Sequence, residues 1–194
     1  FDQTASGLMQ QVAVAGAQPA GGRRNLIFVQ QNVGEIDNRG WELQGALHVN
    51  TWSLTTNLAF VDSRVRSVAR HYTGDLRAGD RMLNVPARTA AVTAAWQDHG
   101  WAASVSAARA FDWIGYDRQS LAAAFVDADR PTSGFVGAQL RAYWFPYDGV
   151  TWLRASLSRV VARRFTLTLL GENLLDKQVG EPDNIAVLPG RTLS

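Results

Sequence analysis

Cysteine is absent from these 194 residues, which excludes disulfides and thiolate metal sites and is compatible with a cell envelope and with cytoplasm alike. Lysine is almost absent. Lys177 is the single one, and the formal charge of +2 comes nearly all from scattered arginines in runs no longer than two, as at Arg163-Arg164. Nucleic-acid binding, which needs a basic stripe or patch, therefore has little support. No run of 18 or more apolar residues occurs, which excludes a membrane helix but not a membrane barrel, whose strands alternate apolar and polar residues. The three histidines, His48, His71 and His99, show no metal-ligand spacing. Neither a Ser–His–Asp arrangement, nor a phosphate-cradling glycine loop, nor a nucleophile elbow is visible, so catalysis has no candidate and no cofactor is called for.

What is present is a period of two. The chain is 46% hydrophobic with seven tryptophans and a mean hydropathy of -0.12, enough for one architectural unit. From Gly40 to Asn50 one parity holds Trp41, Leu43, Gly45, Leu47 and Val49, and the other holds Glu42, Gln44, Ala46 and His48. One face meets apolar surroundings and the other water. Eleven residues at ~3.3 Å each, tilted by about 45°, climb roughly 25 Å, the height of an outer-membrane barrel's apolar band. Trp52, Leu54, Thr56, Leu58 and Phe60 repeat the pattern after a tight turn near Thr51, giving a hairpin. A second hairpin turns at Asp98-His99-Gly100, with Val92, Ala94 and Trp96 on one arm and Trp101, Ala103, Val105 and Ala107 on the other. A third pairs Leu153, Ala155 and Leu157 with Phe165, Leu167 and Leu169 through a turn near Ala162; the Trp152 and Arg154 parity leaves its first arm's facing open.

Short turns near Thr51, His99 and Ala162 alternate with long polar stretches over 65–85, 112–149 and 178–188. Outer-membrane barrels show this asymmetry, short turns on the periplasmic side and long loops outside, whereas a compact soluble domain has few loops longer than about 15 residues. Trp52, Trp96, Trp101 and Phe165 sit beside the short turns, and Trp41, Phe60, Phe111 and Trp113 near the opposite strand ends, as two interfacial girdles would require.

Five strings, in order, resemble one family. Phe165-Thr166-Leu167-Thr168-Leu169 runs into Glu172-Asn173-Leu174-Leu175-Asp176-Lys177, and Pro189-Gly190-Arg191-Thr192-Leu193 follows a polar stretch. Upstream lie Gln31-Asn32-Val33-Gly34 with Asn38-Arg39-Gly40-Trp41-Glu42-Leu43, then Leu58-Ala59-Phe60-Val61-Asp62-Ser63, then Asn84-Val85-Pro86-Ala87-Arg88. Together these are similar to the C-terminal part of a TonB-dependent outer-membrane receptor barrel. Leu175 stands where the family commonly has Phe, and Val179 where a tyrosine is common.

The resemblance implies an all-β fold: an antiparallel up-and-down meander, an open C-terminal segment of a large transmembrane β-barrel. Residues 1–14 would rise, 15–24 form a loop, and 26–50 descend as one long strand with an irregularity near 34–38. Residues 1–194 would supply about eight strands, the last incomplete, of a barrel of about 22, with the plug domain and the TonB-contacting segment lying N-terminal of this piece. The function implied is active uptake of a scarce ligand, a ferric siderophore first among them, in the outer membrane of a Gram-negative bacterium. Its partners would be outer-membrane lipid, the plug and remaining strands of the same protein, TonB, and a metal chelate or other small ligand; nucleic acid is not among them.

His71, Tyr72, Arg77 and Arg81 crowd one loop, and Trp113, Tyr116 and Arg118 begin the next, a mixture suited to an anionic, aromatic metal chelate through charge-assisted hydrogen bonds and stacking. Asp75, Asp80, Asp112 and Asp117 lie among those cations and dilute the field. On the lumen side Glu42, Gln44 and His48 could contact plug or substrate, their plain reading being a hydrated barrel interior. Two other readings stand beside this one: a passive porin or structural barrel, distinguished by the lack of a plug and of TonB coupling, and a soluble β-sandwich binding module, distinguished by partitioning away from detergent.

Overall fold

The structure is a computed structural model that describes residues 1–16, 26–127, 134–162, 164–177 and 190–194. Along the chain the first strands are β1 (Asp2–Ser6), β2 (Met9–Ala15), β3 (Leu26–Asn32), β4 (Gly34–Val49), β5 (Trp52–Val68), β6 (Arg88–Asp98) and β7 (Trp101–Phe111). Then come β8 (Trp113–Tyr116), helix α1 (Arg118–Asp127), a 3-10 helix (Gly137–Tyr143), β9 (Trp144–Tyr147), β10 (Thr151–Val161), β11 (Phe165–Glu172) and β12 (Thr192–Leu193). Eight of the strands make one sheet in the order β1-β4-β5-β6-β7-β10-β11-β12, with β1 and β12 outermost, so the sheet is open. β2 pairs with β3, and β8 with β9, in two-stranded sheets. The expected meander is the observed one.

The turns follow from local chemistry. Asn50 (φ 52°) turns β4 into β5, and His99 (φ 43°) with Gly100 (φ 78°) turns β6 into β7, both central residues adopting the left-handed conformation that matches strand twist in a two-residue hairpin. Ala162 (φ 51°) serves the β10–β11 turn. The expected irregularity in the long descending strand falls at Val33–Gly34, between β3 and β4. Gly34 has φ 128°, and a Cβ there would run into the Ser67 carbonyl oxygen and the Ala69 amide, so only glycine fits. Asn32 Oδ1 accepts the Gly34 N–H at 2.9 Å, and the Ala69 N–H donates to the Val33 carbonyl at 2.7 Å.

The chain forms two compact units. The first comprises Phe1–Gly40, Val61–Val85 and Ile114–Pro146. Its core is Val33, Val65 and Leu76, with Val68, Tyr72, Met82, Leu83 and Trp144 packed against them.

The second unit comprises Trp41–Phe60, Pro86–Trp113 and Tyr147–Ser194, and its sheet has two unlike faces. Residues opposite one another in a ladder share a face, so the register sorts the side chains. Leu54 faces Ala94, which faces Val105, which faces Ala155; Trp52 faces Trp96, which faces Ala103, which faces Leu157, which faces Leu169. Trp41 stacks on Phe60 with centroids 4.2 Å apart, and a Cβ on Gly45 would lie 3.2 Å from Thr56, so Leu43 and Leu47 join this apolar face. Thr55, Thr93, Ser106 and Arg154 lie opposite one another on the other face. There Thr93 and Ser106 hydroxyls are 2.8 Å apart, as are those of Ser104 and Ser156, and Arg154 pairs with Glu172 at 2.5 Å. The facing left open by sequence is thereby settled: Leu153, Ala155 and Leu157 lie on the apolar face, Trp152 and Arg154 on the polar one.

The apolar face has no cover. Leu47 is 58% exposed and Leu167 66%, and among the described residues Trp113 alone of this unit's large hydrophobics is buried. A sandwich would have packed this face against a second sheet.

At the sheet's far end the Glu-Asn-Leu-Leu-Asp-Lys string closes on itself. Asn173, buried and left-handed (φ 47°), accepts the Lys177 N–H at 3.0 Å and donates to the Lys177 carbonyl at 3.1 Å; Asp176 Oδ1 accepts the Arg191 N–H at 2.9 Å. These are the bonds of a strand end being secured. Residues 178–188 lie outside the described residues, as does nearly all of the 15–24 loop.

The stretch 112–149 differs from the plain polar loop expected of it, since it folds into β8, α1, the 3-10 helix and β9. Asp117 caps α1, its Oδ1 accepting the Ser120 N–H at 2.9 Å and its Oδ2 the Ser120 hydroxyl at 2.6 Å. Ala122 to Ala124 then supply strong helix formers.

Candidate functional site: loops gathered on Asp75

In the first unit the loop after β5 and the segment that runs from β8 to β9 meet at a carboxylate. Asp75 is 2% exposed. Its Oδ2 accepts the Tyr116 hydroxyl at 2.5 Å and the Trp144 indole N–H at 2.6 Å, and its Oδ1 accepts the Gln10 amide at 3.4 Å. Three neutral donors from three chain segments thus converge on one buried acceptor. Tyr72 donates its hydroxyl to Gln10 Oε1 and accepts the Leu76 N–H at 3.2 Å. On β3, Gln31 Oε1 accepts the Thr73 N–H at 2.8 Å, so both strands of the β2–β3 hairpin hold this loop by glutamines.

An ion pair flanks the aspartate. Arg141, from the 3-10 helix, donates to Asp80 at 2.5 and 2.8 Å and to the Asp75 carbonyl at 3.1 Å, while its guanidinium lies 4.2 Å from the Trp144 ring centroid. Asp80 also accepts the Arg77 N–H at 2.7 Å. The hydrogen bond from Arg141 leads the causes that hold the Asp80 carboxyl below its usual range. Burial pushes the Tyr72 hydroxyl up to about 12, with the nearby Asp75 charge adding to it, and burial first and Asp75 second raise Tyr116 as well. Both tyrosines therefore stay neutral donors at physiological pH. Phe135 completes the brace, T-shaped against Phe125 at 5.3 Å and stacked with Tyr143 at 6.1 Å.

The seven residues singled out from sequence divide. Tyr72 and Tyr116 come together around Asp75, inside the loop base. His71, Arg77 and Arg118 lie at the surface, and Arg81 is half-buried, its backbone bridging to Arg64. Trp113 is buried in the second unit, stacked on Tyr147 at 5.9 Å. Sequence reading missed Gln10, Arg141 and Trp144, and took Asp75 and Asp80 for dilution of the loop charge. No group of three or more His, Cys, Asp or Glu residues placed to hold a metal exists among the described residues.

Comparisons with known proteins agree with the architecture. The family model for TonB dependent receptor-like, beta-barrel matches residues 1–174. No curated protein matches the chain. Among solved structures, the siderophore receptor PiuA from Acinetobacter baumannii superposes with a TM-score of 0.53 at 16% identity, over 90% of this chain and 21% of that one. At that identity the likeness is one of fold, and the chain spans about a fifth of the length of that receptor. With the open antiparallel sheet, its uncovered apolar face and a family match over nearly its whole length, the chain belongs to the TonB-dependent receptor-like β-barrel family.

Proposed function

We propose that this chain is part of the wall of an outer-membrane TonB-dependent transporter that takes up a scarce ligand, a ferric siderophore being the first choice. The observation that carries the reading is the uncovered apolar face of the second unit, backed by a face of hydroxyls, alanines and one ion pair: hydrocarbon on one side of a sheet and water on the other. A closed barrel supplied by the rest of the protein would pair the open edges. The family is one of receptors, not of enzymes.

In this reading the Asp75 cluster fixes the shape of external loops, and the surface side chains His71, Arg77 and Arg118 present themselves to an anionic chelate. Tyr72, Arg81 and Tyr116 contribute by supporting that surface. The plug and the TonB-contacting segment belong to the rest of the protein, and TonB would couple uptake to the inner-membrane proton gradient. The experiment is uptake of a panel of radiolabelled ferric siderophores by cells producing the full receptor, with and without a protonophore. Saturable uptake abolished by the protonophore is the expected result. Uptake that persists without the gradient would make the protein a passive pore.

A further inference from the structure

A cavity of about 450 Å³ opens on the polar face of the second unit, a volume within the roughly 300–1,000 Å³ of small-molecule sites. Ser106, Ala108, Trp152, Arg154, Glu172 and Thr192 are among the residues that line it. Trp152 lies opposite Ala108 and Arg154 opposite Ser106 across the β7–β10 ladder, and Glu172 lies opposite Thr192 across β11 and β12. Small residues form the floor, with one ring and one ion pair standing above it. Because β10 starts at Thr151 and β11 ends at Glu172, the cavity lies at the strand ends away from the short turns. Arg154 meets Glu172 there at 2.5 Å.

Stability explains neither feature. The side chains of the pair are 64% and 44% exposed, and an ion pair so open to water contributes little to folding. Trp152 is 38% exposed on a face that meets water, which leaves part of an apolar ring hydrated. A ring that carries adjacent hydroxyls uses both. Each hydroxyl donates and accepts, so two of them meet the guanidinium and the carboxylate together, while the ring's C–H face lies on the indole. Charge narrows the class further. Arg154 and Glu172 are the only charged residues among the described ones that line the cavity, and they cancel, so whatever an anion gains from the guanidinium the carboxylate takes back.

We infer that Trp152, Arg154 and Glu172 form a binding subsite for a neutral saccharide. Trp152 is the platform, the ion pair takes two adjacent hydroxyls, and Ser106 and Ala108 keep the floor low enough for the sugar ring to enter. The inference goes beyond the ferric-siderophore reading and rests on the wall reading, which makes the polar face the side of a water-filled lumen.

The test applies the full receptor, in detergent, to an array of neutral oligosaccharides and their uronic-acid counterparts. The wild-type receptor should bind at least one neutral glycan and prefer it to its uronic-acid form. W152A should weaken that binding by roughly tenfold or more, the loss expected for a ring that a ligand stacks on, whereas N57A, on the same face but outside the cavity, should leave it unchanged. E172Q leaves the Arg154 charge uncompensated, so it should reverse the preference in favour of the uronic-acid form. A pair that merely secured the strands would not move that preference. Binding of no neutral glycan, an equal loss in W152A and N57A, or an unchanged preference in E172Q would overturn the subsite. Should W152A fail to assemble, the reversal in E172Q decides alone. Gradient-driven uptake of a ferric siderophore by a receptor that binds no neutral glycan removes only this subsite; glycan binding by a receptor whose uptake persists without the gradient removes only the transporter reading.

Discussion

Asp75 is the residue on which the loops depend most. Asp75→Ala leaves the Tyr116 hydroxyl and the Trp144 indole N–H without their acceptor. Each buried unsatisfied donor costs about 1–3 kcal/mol, so the loop base should open while the barrel persists. Hydrogen exchange on the full receptor should show lost protection in 69–87, 114–127 and 134–146, with unchanged protection in β6 and β7. The same amides should report two titrations. Asp80 is held below its ordinary 3.8, so its contribution is complete above that value and is lost as pH falls through the lower folded one. Tyr72 is raised from 10.0 to about 12, so its contribution is complete below pH 10 and is lost as pH rises towards 12. Asp80→Asn should remove the acid transition and leave the alkaline one. None of this was legible in the sequence. Tyr116, Trp144 and Gln10 lie 41, 69 and 65 residues from Asp75, and nothing in a local pattern marks an aspartate as the acceptor of donors so far away. Gln31-Asn32-Val33-Gly34 was legible as a string, and its reason is now physical: a glutamine that holds a loop, an asparagine that bonds the next turn, a core valine, and a glycine pressed against Ser67.

Strands were the legible elements because alternation is written into every other residue, and ladder pairing preserves it across the sheet. The strand around Trp152 was ambiguous for the same reason. Trp152 and Arg154 form an amphipathic parity of their own, and only pairing with Ala108 and Ser106 shows that they share the polar face. Helix α1 was hidden by its surroundings, since a short capped alanine run inside a long polar stretch reads as loop. Leu47 and Gln44 on β4 give the facing its test. Arginine at Leu47 should cost roughly 2–4 kcal/mol near the membrane midplane, against little at Gln44. Folding of the full receptor into vesicles, followed by urea titration, measures both. Equal costs would contradict the assignment of faces.

For the whole molecule, the meaning of the exposed apolar face depends on what the rest of the protein supplies. Expressed alone in water, the chain should aggregate, because its sheet has open edges at β1 and β12 and an apolar face with nothing over it. Sedimentation after purification without detergent checks this, and a monodisperse, cooperatively unfolding monomer would restore the sandwich. The central claim, a wall crossing the outer membrane with loops outside and turns inside, has a more direct test. Because this chain contains no cysteine, single cysteines placed at His71, Arg118 and His99 of the full receptor introduce the only thiols in this part of it. A membrane-impermeant maleimide applied to intact cells should label positions 71 and 118, and should label position 99 only after the outer membrane is permeabilised. Labelling of position 99 in intact cells, or of none of the three until the cells are lysed, would contradict the account.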